Sequence, residues 1–157
     1  MNDRTSTELL LSASDFDDIK VLSSLTQDSI LLLENIKWLK KRHRFTLLLD
    51  RFKWETETNE LKYKGVNSQR CLSTLIFDNV LKVSYKGLEN ALDKRILSLL
   101  TINIEESEKD DETIIYLIFS GNIVIKLRVE IVQAFLKDIV GTSRLSLKVS
   151  PDHNMEE

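Results

Sequence analysis

The chain has 157 residues, of which 42% are hydrophobic and 30% are charged, and its net charge is −3. This length and composition are typical of one soluble globular domain with a single core. The net negative charge excludes a protein whose whole surface is basic, so any binding of nucleic acid or acidic lipid would need a local basic patch.

Cysteine usage and the N-terminus predict the compartment. Cys71 is the only cysteine, which excludes an intrachain disulfide and a cysteine-based zinc site. The N-terminus has no basic segment followed by a signal-like apolar run, and no stretch approaches the ~18–20 apolar residues of a membrane span. We therefore expect a soluble cytoplasmic protein that makes no use of a membrane. One domain over residues 8–150 is expected, with flexible tails at 1–7 and 151–157.

The N-terminal part predicts a short strand followed by a helix. Residues 8–13 are typical of a strand, and Ser14 then offers a helix N-cap, with Asp17 three residues later. Apolar residues at helical spacing predict a helix over residues 15–26. Its acidic first turn complements the helix dipole, which is a simpler interpretation than a cation site.

The middle of the chain predicts several strands joined by short turns. A basic turn at 40–43 separates the first pair, and a turn at Asp78 and Asn79 separates the next pair. The polar stretch 55–69 is predicted to be a long loop. The predicted strands span residues 29–39, 44–52, 71–77, 80–85 and 96–105.

The clearest pattern in the chain lies at residues 112–141. A β-branched and aromatic strand at 113–119 leads through Ser120-Gly121-Asn122 into a strand that alternates apolar and polar residues from Ile123. Apolar spacing then becomes helical, with Ile131, Phe135 and Ile139 four residues apart on one face, which predicts a packing helix over 130–140 that ends at Gly141. The residues predicted to form the centre of the core are Ile123, Ile125, Leu127, Phe135 and Ile139.

Together these elements predict an α+β fold. Strands joined by short turns imply antiparallel pairing, because parallel pairs need a long crossover. The expected architecture is a mostly antiparallel sheet curled into a roll or barrel, with a short N-terminal helix and a C-terminal packing helix. By analogy this order is pleckstrin-homology-like.

No constellation of residues predicts catalysis. The only histidines, His43 and His153, lie on a basic turn and in a predicted tail, and Cys71 opens a strand as a small buried residue would. The acidic residues between 105 and 112 are typical of a solvated loop tip. We therefore expect a protein that is not an enzyme and that uses neither a cofactor nor a metal.

A basic segment at residues 37–54 is a candidate site for binding nucleic acid or another anion. It has seven cations against Asp50 alone, a local net charge of +6, and its aromatic residues could stack on bases. The cations are Lys37, Lys40, Lys41, Arg42, Arg44, Arg51 and Lys53, and the aromatics are Trp38, Phe45, Phe52 and Trp54. This pattern is also typical of a solvated hairpin tip.

The candidate binding residues are Arg44, Arg51 and Trp54, with Arg42 and His43 on the adjacent turn. Arg44 and Arg51 are seven residues apart, so a regular strand points them to opposite faces. Arg51 either forms an ion pair with Glu55 or another carboxylate, or it borders a pocket with Trp54 for an anionic or planar ligand.

The segment around these residues resembles a known family. The resemblance begins at Arg44-Phe45 and Leu49 to Glu55, runs through the second half of the chain and ends at Pro151 and His153. It is similar to the alphaproteobacterial family catalogued as domain of unknown function 2948, from about Leu9 to His153. Asp50 stands where asparagine is expected, and the 120–122 turn has fewer glycines. The later matching positions are Arg70, Phe77, Val80, Gly87, Phe119, Gly121, Ile125, Leu127, Val129 and Glu130.

The resemblance implies a bacterial cytoplasmic protein and assigns no activity or site residues. Combined with the residue patterns, it predicts a non-catalytic binding or protein-interaction module with an unidentified protein partner. The alternative is a weak, salt-dependent nucleic-acid or anion binder that uses the basic hairpin at 37–54.

Overall fold

The computed structural model describes residues 9–54, 70–89, 95–107 and 111–139. Within these ranges the chain forms ten strands, one α-helix and two short 3-10 turns. The helix α1 (Phe16–Thr26) follows the first strand, and the 3-10 turns are Leu33–Asn35 and Lys40–Arg42. The strands are β1 (Leu10–Ala13), β2 (Ser29–Leu32), β3 (Ile36–Leu39), β4 (Arg44–Phe52), β5 (Arg70–Phe77), β6 (Val80–Lys86), β7 (Ile96–Ser107), β8 (Glu112–Phe119), β9 (Ile123–Val129) and β10 (Ala134–Asp138).

All the described strands join one antiparallel sheet. Its order is β1-β10-β5-β4-β2-β7-β8-β9-β6, and β3 pairs with β4 beside β2. The prediction of a mostly antiparallel sheet is confirmed. The sheet is not closed into a barrel, because β1 and β6 form its two ends, and the pleckstrin-homology analogy is therefore not supported.

The predicted C-terminal helix is wrong. Residues 134–138 form β10, which lies between β1 and β5 and is bonded to both. The inward residues of this segment, Ala134, Leu136 and Asp138, alternate with period two, and the sheet pairs their backbone groups on both sides. This tertiary pairing outweighs the helical spacing of the neighbouring apolar residues. Ile131, predicted to lie on the packed helix face, is 60% exposed.

The core prediction needs a corresponding correction. Ile123, Ile125 and Leu127 of β9 are buried as predicted. Phe135 is only half-buried, because it points to the outer face of β10 opposite the inward Leu136, and Ile139 is also half-buried. The core instead joins the inner face of β4 and β5 to that of β7, β8 and β9.

Helix α1 is confirmed, with its cap shifted by one residue. Asp15 is the N-cap and accepts from the Asp18 amide at 2.8 Å, while the Ser14 amide donates to Asp18 Oδ2 at 2.9 Å. The predicted cap at Ser14 is therefore wrong, although carboxylates of the same acidic turn accept the amide hydrogen bonds at the start of the helix. Ile19 and Leu22 bury against the sheet. Among the described residues, no helix combines the length and the apolarity that crossing a membrane requires.

The turn at Asp78 and Asn79 joins β5 to β6 without pairing them. β5 pairs with β4 and β10, whereas β6 pairs with β9. Asn79 has φ 59, and the Val80 amide donates to the His43 carbonyl at 2.9 Å. The turn therefore sends the chain to the other end of the sheet and brings the start of β6 to the start of β4. The predicted loop at 55–69 and the predicted tails at 1–7 and 151–157 lie outside the described residues.

Candidate functional site

Arg51 lies in the core. On β4 the side chains of Phe45, Leu47 and Leu49 point inward, and strand alternation gives Arg51 the same direction. Its side chain is 0% exposed and forms a fork with Asp138 of β10, with Nε donating to Oδ1 and Nη2 donating to Oδ2 at 3.0 Å each. The carboxylate partner expected for Arg51 is therefore Asp138, which is 87 residues away in sequence.

Neighbouring groups complete this buried polar cluster. Ser73 Oγ donates to Asp138 Oδ1 at 2.6 Å, and the Leu9 amide donates to Oδ2 at 3.0 Å. Burial would raise the pKa of Asp138, but hydrogen bonds from Arg51 and Ser73 outweigh it and hold that pKa below its usual value. The cluster links β4, β5, β10 and Leu9, the residue before β1, and the Arg51 side chain is fully buried within it.

The same arginine also stabilises the end of α1. Its Nη1 donates to the Phe52 carbonyl at 2.9 Å and lies 3.5 Å from the Leu25 carbonyl in the last helical turn. The last turn of α1 contains no basic residue of its own. A cation beside the terminal carbonyls complements the negative end of the helix dipole.

Cys71 borders this cluster. Its Sγ lies 3.5 Å from Ser73 Oγ, and the residue is buried. Burial raises the pKa of the thiol, which disfavours the nucleophilic thiolate. Cys71 therefore resembles a packed core residue more than a reactive one.

Trp54 lies just after β4, against the C-terminal end of α1. It is 38% exposed, its Nε1 donates to the Gln27 carbonyl at 3.1 Å, and its ring packs on Phe52 with centroids 5.2 Å apart. The Arg70 guanidinium stacks on the Phe52 ring, 3.9 Å from its centroid. Arg70 Nε also lies 3.3 Å from Asp50 Oδ1. Arg51 is fully buried and Trp54 is partly exposed, and the pocket that the two residues were predicted to border stays a prediction.

The remaining predicted residues lie at the opposite end of β4. Arg44 forms a fork with Asp78 at 2.6 and 3.1 Å, and this hydrogen bonding raises the pKa of its guanidinium. His43 adopts a left-handed conformation, with φ 54, and its Nδ1 lies 3.2 Å from the Val80 carbonyl. Arg42 is exposed on the 3-10 turn. Arg44 and Arg51 lie on opposite faces, as their spacing predicts.

A cavity that sequence reasoning missed lies between β3 and β6. It encloses about 350 Å³. We call it the β3–β6 groove. Every side chain that lines it is aliphatic or aromatic, and these are Leu33, Ile36, Trp38, Phe45, Val83, Tyr85, Leu88 and Ile125.

The path of the chain explains why this groove is open. Among the described residues, β3 pairs only with β4, and β6 pairs only with β9. The two strands meet at one end, where the Val80 amide bonds to His43. At the other end Gly87 has φ +90, and a Cβ there would lie 2.7 Å from the Asn122 carbonyl oxygen. This glycine turn places Leu88 against the groove.

The surroundings of the β3–β6 groove are predominantly cationic. The acidic groups near it are partly engaged, since Asp78 pairs with Arg44 and Glu89 accepts from the Gly87 amide at 3.1 Å. Exposed cations lie on β3, on β6 and on the turn after β3. They are Lys37, Lys40, Lys41, Arg42, Lys82 and Lys86.

A second, more polar hollow lies on the outer face of β6, β9, β8 and β7. It encloses about 540 Å³ and includes Ser84, Asn103 and Lys126. Tyr116 donates its hydroxyl to Glu105 Oε2 at 2.8 Å, and this bond raises the pKa of the tyrosine. The hollow is a hydrogen-bonding surface without an arranged nucleophile. In the part of the chain that the structure describes, no three histidine, cysteine, aspartate or glutamate side chains form a metal-binding group.

The groove was hard to find from sequence because its walls are distant in the chain. Trp38, Val83 and Ile125 come from three strands that are brought together only by the sheet order. The one available signal was an aromatic residue on the inward register of two strands, Trp38 and Tyr85, which is equally typical of a closed core.

Comparison with known proteins places the chain in a family. No curated protein and no solved structure matches it significantly. A family profile matches residues 9–153, nearly the whole chain. The chain therefore belongs to the family described as protein of unknown function (DUF2948).

Proposed function

We propose that this protein is a non-catalytic binding module of the bacterial cytoplasm and that its site is the β3–β6 groove. The observation that carries this proposal is an opening in the sheet lined by eight aliphatic or aromatic side chains. Its volume of about 350 Å³ falls within the range of ligand pockets. Ligand pockets in proteins are largely apolar, with a few polar groups placed at their border.

Exposure of large side chains at the groove supports the proposal. Tyr85 is 60% exposed although it points to the inner side of β6. Covering apolar surface contributes roughly 25 cal/mol for each Å² removed from water. An apolar ligand in the groove would gain this contribution from Tyr85, Trp38 and Leu88 together.

The hydrogen bonds and ion pairs of the polar residues support a non-catalytic role. Arg51, Ser73 and Asp138 are bonded to one another inside the core. Arg44 is bonded to Asp78, and the pKa of Cys71 is raised. The polar groups that would be first choices for chemistry therefore maintain the fold.

An anionic dye with an apolar ring system, anilinonaphthalene sulfonate, tests the site. In a Trp54→Phe background Trp38 is the one remaining tryptophan, so energy transfer to the dye reports occupancy of the groove. Val83→Glu should weaken dye binding about tenfold, equivalent to ~1.4 kcal/mol, because Val83 lines this groove and does not line the polar hollow, which Tyr85 also borders. Leu81→Glu is the matched control, because Leu81 is exposed on the same strand and does not line the groove. Equal weakening by both variants would contradict the proposed site.

Salt-dependent binding of nucleic acid or another anion through the basic hairpin is the second candidate. The observation in its favour is the exposure of Lys37, Lys40, Lys41 and Arg42. Against it, Arg44 and Arg51 are engaged by carboxylates. Retention on heparin at low salt that is lost when residues 40–42 are changed to glutamate would favour this function. The groove function predicts no such retention.

A further inference from the structure

We infer that the occupant of the β3–β6 groove is an extended segment of a partner protein, which adds as a strand to the free edge of β6. The segment has apolar side chains at alternate positions and acidic residues at its ends. This inference rests on the proposed function of the groove and identifies the class of ligand.

The first argument is the edge of β6. All of β6 runs beside β9, from Val80↔Val129 to Lys86↔Val124. Within the described ranges no strand pairs with its other edge. A strand added there would lie about 4.8 Å from β6 and would use its backbone hydrogen-bonding groups. A small apolar ligand would leave those groups unused.

The second argument is the register of the lining side chains. Val83 and Tyr85 are two residues apart on β6 and both line the groove. An adjacent strand has the same period of two, so every second side chain would point inward. Those side chains would meet Trp38, Phe45 and Ile125, and the intervening ones would point to solvent. An alternating sequence is therefore the pattern that fits.

The third argument concerns length. At Val80 the edge cannot accept a new strand, because the Val80 amide already donates to the His43 carbonyl. The pairing of β6 with β9 is also irregular between Val80 and Lys82. The regular edge extends from Lys82 to Lys86. At about 3.3 Å for each residue, this edge matches a segment of roughly five residues.

The fourth argument is charge. Lys82 and Lys86 lie on β6, and Lys37 lies on β3 across the groove. Lysines on an open edge disfavour unselective strand pairing, because they repel each other and remain hydrated. Acidic residues at the ends of the incoming segment would turn this barrier into attraction. The edge would then admit acidic strands and reject basic ones.

A designed peptide tests the inference with the full-length protein. The peptide has seven residues, with valine at two alternate central positions, threonine between them and two glutamates at each end, so that the valines lie opposite Val83 and Tyr85 and the inner glutamates lie opposite Lys82 and Lys86. We expect it to displace anilinonaphthalene sulfonate and to slow amide exchange of residues 82–86 at least tenfold. A version with lysine in place of each glutamate should bind about tenfold more weakly. Equal affinity of both versions would overturn the charge preference.

Backbone methylation separates strand addition from simple apolar contact. One variant peptide is N-methylated on the two valine amides and another on the threonine amide, because alternate amides of a strand point to opposite edges. Strand addition predicts that at least one variant loses binding about tenfold or more. Undiminished binding of both would overturn it.

The outcomes distinguish this inference from the proposed function. If dye binding depends on Val83 but no peptide binds, the strand partner is wrong and the groove function stands. If laurate displaces the dye and the peptide does not, the occupant is a small amphiphile and the groove function again stands. If Val83→Glu has no specific effect on the dye, the groove function itself fails.

Discussion

At the scale of single residues, the cluster around Arg51 places a cation, a carboxylate and a hydroxyl in the core. Arg51 is 0% exposed and Asp138 is 3% exposed, so neither charge is stabilised by water. Removing one partner leaves the other charge buried and unpaired. We therefore expect Asp138→Asn to lower the free energy of unfolding by ~3–5 kcal/mol, as measured by urea denaturation.

A more accessible ion pair, between Arg44 of β4 and Asp78 of the turn after β5, provides the control for this measurement. Arg44 and Asp78 are bonded with similar fork geometry, but their side chains are 40% and 18% exposed. Asp78→Asn should cost only about 0–1 kcal/mol, since water solvates both groups. Similar losses in the two variants would show that burial does not determine the contribution of Asp138.

The pKa of Asp138 also predicts how stability depends on pH. This pKa is lowered in the folded protein, so between the folded and unfolded pKa values the unfolded chain binds more protons. The contribution of Asp138 is fully present above the unfolded pKa of about 3.9 and is lost as pH falls through the folded pKa. Urea denaturation between pH 6 and pH 2 should show a decline in the acid range that is shallower in Asp138→Asn. A decline of the same slope in both proteins would contradict this assignment.

At the scale of elements, the sequence predicted the strands and turns whose structure is determined by residues close to them in the chain. The hairpin of β8 and β9 was predictable because Ser120-Gly121-Asn122 demands a tight turn and the return strand alternates. β10 was not predictable, because Ile131, Phe135 and Ile139 repeat at helical spacing while the partners that make the segment a strand are β1 and β5. The Arg51–Asp138 pair was missed for the same reason, since Asp138 lay within the predicted helix.

Two truncations in β10 distinguish the strand from the predicted helix. Leu136 points inward and is fully buried, whereas Phe135 points outward and is half-buried. Leu136→Ala should cost ~2–5 kcal/mol because it leaves a cavity in the core, and Phe135→Ala should cost less. Chemical denaturation of both variants measures the difference. A larger loss for Phe135→Ala, despite its partial exposure, would favour the helical arrangement.

At the scale of the whole molecule, none of the ten described strands pairs with the second edge of β6, which lies beside an apolar groove. This feature was beyond sequence reasoning, because the 78–79 turn is short and would ordinarily join paired strands. The strand addition that we infer would place two opposing requirements on β6, which would have to accept a partner and avoid pairing with another copy of the same chain.

Lys82 and Lys86 meet the second requirement if the edge behaves as we infer. Replacing both with threonine removes their charge and keeps a residue that favours strands, so β6 should pair with β6 of another copy. We expect the double variant to elute from a sizing column at a larger apparent mass than the unmodified protein, increasingly so at higher concentration. Lys126→Thr is the matched control, because Lys126 is also exposed but lies on β9, which is paired on both sides by β8 and β6. If the double variant and the control elute alike, the edge of β6 does not have the pairing capacity that strand addition requires.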